Sequence, residues 1–251
     1  MMKGRVTLVG AGPGDPELIT VKGLNAIKRA DVILYDALSS EALLDYAPDN
    51  SIKIYVGKRC GKHSLKQPDI NALIIQYARS HRYVVRLKGG DPFIFGRGHE
   101  EMLALRNNNI EVEVIPGISS VTSLPLLQSV PLTRRNLAES FWVMTGTTKN
   151  HEISSDIYQA AQSDATSVIL MGMNKLEEIA AIYADAGKKD VPAMVISKGS
   201  TKHEAFAIGS IKTIVEEVRS LRLETPGIIV IGEVVGLHPT FLKQKVDALW
   251  A

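Results

Sequence analysis

Short runs of branched apolar residues alternate with amphipathic segments along the first half of the chain, and this alternation limits the possible folds more than any other feature. The apolar runs occupy residues 5–10, 31–35, 52–56, 83–87 and 112–115, and the amphipathic segments occupy residues 22–29, 68–80 and 99–107. Nearly continuous Val, Ile and Leu runs are typical of strands buried on both faces, as in a parallel sheet. Strands that alternate with helices predict an α/β domain.

A second series of apolar runs follows at residues 141–145, 167–171, 193–197, 205–208 and 227–231, with amphipathic stretches at 176–184 and 210–221. Two of these runs, 193–197 and 205–208, are close together and predict a hairpin, so we expect the second sheet to be mixed. Residues 116–135 contain three prolines, and we place a domain boundary near residue 130. The sequence therefore predicts an N-terminal α/β domain, 1–130, and a C-terminal α/β domain, 131–251.

Composition excludes several classes of protein. The 251 residues carry a net charge of +2, whereas a nucleic-acid binder usually has a larger basic excess, so we expect no nucleic-acid partner. No apolar run approaches the ~18 residues of a membrane-spanning helix, and residues 1–30 lack the apolar core of a signal peptide. Cys60 is the only cysteine, which excludes an intrachain disulfide and a cysteine-based metal site. We expect a cytoplasmic protein with no metal and no membrane partner.

The first apolar run ends in a glycine loop, Gly-Ala-Gly-Pro-Gly-Asp-Pro at residues 10–16. A dinucleotide-binding loop would need a third glycine at position 15, where Asp15 stands. Pro13 and Pro16 also lack the backbone N–H groups that would bind a pyrophosphate. These residues argue against a nicotinamide oxidoreductase and leave a tight turn, or a site for a different ligand.

A second glycine loop, Lys-Gly-Gly-Asp-Pro-Phe-Ile-Phe-Gly-Arg-Gly at residues 88–98, follows the run 83–87. Ligands of α/β sheets bind at loops that follow the carboxyl ends of strands. Gly89 and Gly90 allow close approach to the backbone, and Asp91 can accept hydrogen bonds from an amine or a hydroxyl. No Gly-x-x-x-x-Gly-Lys-Ser/Thr pattern is present, which excludes a P-loop.

The two loops resemble the opening signature and the S-adenosylmethionine loop of the tetrapyrrole methylases, and within that family the members that methylate uroporphyrinogen III. The resemblance runs from about Arg5 to Gly236. It implies two α/β domains with the active site in the cleft between them, and a homodimer. It also implies two successive methyl transfers from S-adenosylmethionine to uroporphyrinogen III, through precorrin-1 to precorrin-2, in siroheme or cobalamin biosynthesis.

The same resemblance assigns cofactor contacts to glycines and small or apolar residues in several short motifs. These contacts are Pro13, Gly89, Gly90, Asp91, Ile94, Ser119, Ser120, Met171 and Gly199. For two of the positions the residues alone allow a simpler role, because Ser119 and Ser120 can cap a helix and a methionine such as Met171 is often a core residue.

Four residues are candidates for the chemistry. Asp36 follows the run 31–35, where it could also cap a helix; the resemblance makes it a proton acceptor. Lys58 corresponds to the proton donor of the family, although a basic loop is often only solvated. Arg97 and Glu100 are implied to reach toward the tetrapyrrole. Either Asp36 or the Arg97–Glu100 pair could handle the proton that leaves the methylated ring.

The tetrapyrrole substrate carries many carboxylates, which guanidinium groups bind in a bidentate manner. We therefore expect Arg59, Lys62, Arg134 and Arg135 to bind it, together with Arg97. The chain departs from the family pattern at Arg134, at two further single positions, and over residues 126–129, where the family commonly has small residues. His99 stands where the family has glycine, and Asn136 where it has aspartate. These departures concern the substrate side of the site.

Two other functions remain compatible with the sequence. One is methylation of another substrate on the same fold, such as a different corrin-pathway precorrin, an RNA or a protein. The other is a binding relative without turnover. Retention of Asp36, Lys58, Arg97 and Met171 argues against loss of catalysis.

Overall fold

The computed structural model describes residues 4–57 and 65–241. The chain divides into two compact units, Met1–Ser120 and Val121–Ala251, and each unit contains a five-stranded sheet. The boundary that the sequence places near residue 130 lies after this division. The reason is that residues 120–127 form a helix whose Val121 and Leu124 side chains belong to the hydrophobic core of the second unit.

The sheet of the first unit is wholly parallel, as the apolar runs predict. Its strands are β1 (Arg5–Gly10), β2 (Val32–Tyr35), β3 (Ile52–Tyr55), β4 (Tyr83–Lys88) and β5 (Glu111–Ile115). Their order is β3-β2-β4-β1-β5, so β1 lies between β4 and β5. Because all five strands run the same way, their carboxyl ends share one edge of the sheet.

Helices cover both faces of this sheet. They are α1 (Val21–Ile27), α2 (Gln67–Ser80) and α3 (Gly98–Asn107). The α1 helix begins after Thr20, whose hydroxyl accepts a hydrogen bond from the Gly23 N–H. One face of the sheet packs against α2 and α3, and the other packs against α1 and a 3₁₀ segment, Glu41–Tyr46.

The sheet of the second unit is mixed, and the predicted hairpin is confirmed. Its strands are β6 (Phe141–Thr145), β7 (Thr166–Leu170), β8 (Pro192–Ser197), β9 (Ala205–Ser210) and β10 (Gly227–Ile231). In the order β6-β7-β10-β8-β9, β6 and β7 are parallel and the other pairs are antiparallel. The β6 strand is therefore an edge strand.

Four helices belong to residues 120–220: α4 (Ser120–Leu127), α5 (Asp156–Ala161), α6 (Leu176–Asp185) and α7 (Ile214–Ser220). The sequence predicted the last of them to begin at residue 210, but Ser210 stays in β9 and accepts the Thr213 hydroxyl instead. No amphipathic segment was predicted for helix α4, which has Pro125 inside it, although Ser119 and Ser120 were recognised as possible helix caps. Within the part of the chain described, no helix is long and apolar enough to cross a membrane.

Candidate functional site

Three loops meet at the carboxyl edge of the first sheet. They follow β4, β1 and β5, which are neighbours in the sheet. Gly12 and Gly90 exchange backbone hydrogen bonds, with N–O distances of 3.3 Å and 2.7 Å. A Cβ on Gly117 would lie 2.2 Å from the Gly90 oxygen and 2.6 Å from the Gly10 Cα. Gly10 and Gly117 are thus needed so that the backbones of the three loops can touch one another.

Gly90 differs from the glycines around it. Its φ is 65°, and a Cβ built on it would meet nothing within 4 Å. A Cβ on the adjacent Gly89 would instead lie 2.4 Å from the Leu38 Cβ. The backbone of Gly90 therefore borders open space at the edge of the sheet, which suits close approach of a ligand, whereas packing inside the chain already explains Gly89.

The Asp91 carboxylate joins two of the loops. Its Oδ1 accepts a hydrogen bond from Phe93 N at 2.9 Å, and its Oδ2 accepts one from Gly117 N at 3.1 Å. Each carboxylate oxygen has a second lone pair, so both can still accept from a ligand amine or hydroxyl. An ordered acceptor beside the open space at Gly90 fits the amino and hydroxyl groups of S-adenosylmethionine.

Other predicted cofactor contacts of the first unit lie in these loops or next to them. Pro13 is half-buried in the loop after β1, and Ile94 is exposed in the loop after β4. Ser119 is buried after β5, and Ser120 begins α4. The fold thus brings these four positions to the same edge of the sheet as Gly90.

Asp36 lies at this edge too, directly after β2. Its Oδ1 accepts hydrogen bonds from Leu38 N at 3.1 Å and from the Ser39 hydroxyl at 3.2 Å. Its Oδ2 lies 3.2 Å from Nη2 of Arg86, and the side chain keeps 24% of its surface exposed. The carboxylate is therefore fixed on one side and open to solvent on the other, as a group that receives a proton from a ligand must be.

A buried charged cluster underlies Asp36, and sequence reasoning missed it. Arg86 and Lys88 alternate along β4, so both point to the same face of the sheet. Glu101 on α3 faces them: its Oε1 lies 3.2 Å from Nε of Arg86 and its Oε2 lies 3.1 Å from Nζ of Lys88. Burial lowers the pKa of Lys88, as does the charge of Arg86, while Glu101 opposes the shift. A signal was present, since cations are rare in a strand otherwise made of apolar residues.

Arg97 and Glu100 form an exposed pair at the start of α3. Arg97 donates from Nε to Oε1 of Glu100 at 2.9 Å and from Nη2 to Oε2 at 2.6 Å. This bidentate bond raises the pKa of Arg97 and lowers that of Glu100. Phe93 and Phe95 are exposed in the same loop. Exposed apolar rings and a guanidinium in one loop suit a flat ligand that bears carboxylates.

The predicted cofactor contacts of the second unit share one edge of its sheet. Met171 follows β7, has a φ of 54° and is exposed. Its carbonyl accepts a hydrogen bond from the Thr147 hydroxyl at 2.9 Å. Gly199 follows β8, and a Cβ there would lie 2.5 Å from a Leu124 methyl carbon. Packing against α4 is therefore sufficient to explain the glycine, while Met171 has no such internal role.

The basic residues predicted to bind the substrate are only partly described. Lys58, Arg59 and Lys62 lie outside the described residues. Arg134 and Arg135 are exposed in a short turn that the Arg134 N–H closes onto the Ala138 carbonyl at 2.9 Å. Among the described residues both side chains are exposed to solvent, so their guanidinium groups are able to bind an anion.

Residues 5–215 match the family of tetrapyrrole (corrin/porphyrin) methylases. The uroporphyrinogen-III C-methyltransferase of Methanocaldococcus jannaschii is 47% identical over 94% of this chain and 98% of its own length. The siroheme synthase of Actinobacillus pleuropneumoniae is 44% identical over 94% of this chain, which spans only 48% of that longer protein. The structure of uroporphyrin-III C-methyl transferase from Thermus thermophilus with S-adenyl homocysteine is 39% identical, with a TM-score of 0.80 over 93% of this chain and 100% of that one.

Proposed function

Since the chain belongs to the tetrapyrrole methylases, we propose that it transfers methyl groups from S-adenosylmethionine to ring carbons of uroporphyrinogen III. Two successive transfers would give precorrin-2 through precorrin-1. The observation that carries the proposal is the open space at Gly90, with Asp91 beside it and Asp36 at the same edge of the sheet. A nicotinamide site is not supported, because the loop after β1 lacks the third glycine.

S-adenosylmethionine, when bound, supplies an electrophilic methyl group. Gly90 and Asp91 would hold it by backbone approach and carboxylate hydrogen bonds, and Pro13, Ile94 and Ser119 line the same edge. Gly89, Ser120, Met171 and Gly199 stay predicted contacts. The contribution of these residues is to hold the reacting atoms within about 3–3.5 Å and in line, which can supply much of the rate enhancement.

The proton that leaves the methylated ring needs an acceptor. We assign this role to Asp36 rather than to Glu100, because Arg97 occupies both carboxylate oxygens of Glu100 in a bidentate bond. Arg97 uses Nε and Nη2 for Glu100, which leaves its Nη1 free to donate to a substrate carboxylate. Lys58 is proposed as the proton donor, and Arg59, Lys62, Arg134 and Arg135 as further substrate contacts.

The proposal is tested by anaerobic incubation of the protein with enzymatically generated uroporphyrinogen III and methyl-labelled S-adenosylmethionine. We expect the pigment to gain two methyl groups by mass. The Asp36→Asn variant should bind S-adenosylmethionine normally and methylate slowly. Absence of transfer by the unaltered protein, while it still binds S-adenosylmethionine, would overturn uroporphyrinogen III as the substrate and direct the search to other precorrins.

A homodimer is proposed as the assembly, and the cytoplasm as the location. The edge strand β6 supports the first, because among the described residues it has a neighbouring strand on one side only, and its Phe141 and Trp142 are each 39% exposed. Such strands usually pair or are covered. Light scattering should give twice the mass of the chain, and Trp142→Glu should lower it. The single cysteine supports a reducing compartment.

A further inference from the structure

The buried charged cluster beneath Asp36 has no assigned part in the proposed chemistry. It contains two cations, Arg86 and Lys88, and one carboxylate, Glu101, whose side chain is fully buried. Asp36 supplies the second carboxylate, so the four charges balance. Of the four side chains, only Asp36 is accessible from the edge of the sheet.

We infer that Glu101 is a positioning residue for methyl transfer, which acts by holding Arg86 so that Arg86 fixes the Asp36 carboxylate. The inference rests on the proposed function of Asp36. Glu101 itself touches neither the open space at Gly90 nor solvent. Its effect on the reaction must pass through a side chain that it contacts, and Arg86 is the partner that in turn contacts Asp36.

The geometry of Arg86 shows how this can work. Its guanidinium has three acceptors in three directions: Nε donates to Glu101 at 3.2 Å, Nη1 donates to the Leu87 carbonyl at 2.9 Å, and Nη2 donates to Asp36 at 3.2 Å. A planar guanidinium with three fixed partners has one orientation. Replacement of the Glu101 carboxylate by an amide removes the charge that strengthens the bond to Arg86 Nε, so the guanidinium is held less firmly and its contact with Asp36 is weakened.

Glu101 is fixed in turn by two groups besides Arg86. Gln67, the first residue of α2, donates to Oε1 of Glu101 at 3.1 Å, and Lys88 approaches Oε2 at 3.1 Å. The carboxylate thus ties α2 and α3 to the carboxyl end of β4. Three elements of the first unit determine where Arg86 can point.

Stability alone does not account for the cluster. A buried ion network is on average no more stable than a well-packed apolar replacement, since desolvation offsets the attraction of the charges. The surrounding face of the sheet is apolar, with Leu8, Leu34 and Val84 next to Arg86 in the sheet. Apolar residues would therefore fit at these positions. The charges instead serve to orient Asp36, which is the one accessible member of the cluster.

The test compares Glu101→Gln, which keeps the shape and removes the charge, with Glu113→Gln as a matched control. Glu113 is a partly buried glutamate of the same sheet that pairs with Arg5 and Lys22, away from Asp36. We expect kcat of Glu101→Gln to fall about 10- to 100-fold, with KM and Kd for S-adenosylmethionine unchanged, and kcat of Glu113→Gln to stay within twofold. If Glu101→Gln does not fold, Glu101→Asp is the second variant, because it retains the charge but withdraws it from Arg86. It should show the same fall in kcat with unchanged KM and Kd.

Dependence on Asp36 is measured in a double-mutant cycle. In an Asp36→Asn background, Glu101→Gln should lower kcat no further, because the group that it positions is already absent. The full additional loss in that background would overturn the inference, and so would a kcat of Glu101→Gln equal to that of the control.

A structural readout separates this inference from the proposed function. The crystal structure of the Glu101 variant should show Arg86 turned and its contact with Asp36 lost. An intact contact would overturn the inference whatever the substrate is. If the unaltered protein does not methylate uroporphyrinogen III, the proposed function fails, whereas the structural comparison still decides whether Glu101 holds Arg86 against Asp36.

Discussion

Alanine at position 90 should weaken cofactor binding with little effect on the stability of the fold. Gly90 has a φ of 65°, where alanine is strained by about 1–2 kcal/mol. The lower freedom of the unfolded chain offsets about 0.4–1 kcal/mol of this. The new methyl group meets no atom of the chain within 4 Å. We therefore expect the free energy of unfolding to fall by about 1 kcal/mol.

The effect on the cofactor should be larger, because the methyl group would occupy the space that the cofactor is proposed to enter. Forcing an extra carbon into a packed contact costs about 1–3 kcal/mol. Since ~1.4 kcal/mol corresponds to tenfold in affinity, Kd should rise about 5- to 150-fold. Isothermal titration calorimetry with S-adenosylhomocysteine, which carries no methyl to transfer, measures this change, and urea unfolding measures the stability.

Gly187→Ala is the matched control. Gly187 has a φ of 82°, also has nothing within 4 Å of its Cβ position, and follows α6 at the edge of its sheet opposite to Met171. The same loss of stability is expected, with no change in Kd. Equal affinities of the two variants would refute the assignment of the cofactor to Gly90. A much larger loss of stability in Gly90→Ala would show that the loop is packed differently.

Other predictions concern a side chain of the site, the packing of its loops and the pH dependence of stability. Arg97→Ala should lower kcat about tenfold or more, because a charge-assisted hydrogen bond to the substrate is lost. The affinity for S-adenosylmethionine, measured by calorimetry, should stay within twofold. A loss of that affinity as large as the loss of kcat would contradict the assignment of Arg97 to the substrate. Gly117→Ala should lower the free energy of unfolding by about 1–3 kcal/mol, because the new Cβ meets backbone that cannot move aside. An unchanged urea midpoint would contradict the close approach of Gly117 to Gly10 and Gly90. Burial lowers the pKa of His238, whose Nδ1 accepts a hydrogen bond from Thr240 N at 3.2 Å. The unfolded chain therefore binds the proton at higher pH than the folded chain does, and stability should decrease as the pH falls below about 6.5. His238→Gln should flatten that part of the curve in urea unfolding measured from pH 7 to 5, and a curve of the same slope would disprove the role of His238.

Most of the secondary structure could be predicted because it depends on neighbouring residues. The apolar runs correspond to all ten strands of the described residues, and the short separation of residues 193–197 and 205–208 was enough to predict the β8–β9 hairpin. Errors arose where packing overrides local preference. Helix α4 forms around Pro125 because Val121 and Leu124 are buried in the second core. Helix α7 begins at Ile214 and not at the predicted residue 210, because Ser210 remains paired in β9.

The candidate site divides in the same way. Each predicted motif of the site is a short local stretch of the chain: the two glycine loops, the acid after β2 and the Arg97–Glu100 pair. Residue types and spacing within these stretches were therefore enough to indicate a ligand and a family. The link between Asp36 and Arg86 spans 50 positions, and the separate roles of Gly89 and Gly90 depend on what lies opposite each Cβ. Burial and hydrogen bonding between distant segments exist only once the register of β2, β4 and α3 is set, and for that reason the charged cluster beneath Asp36 became visible only in the folded chain.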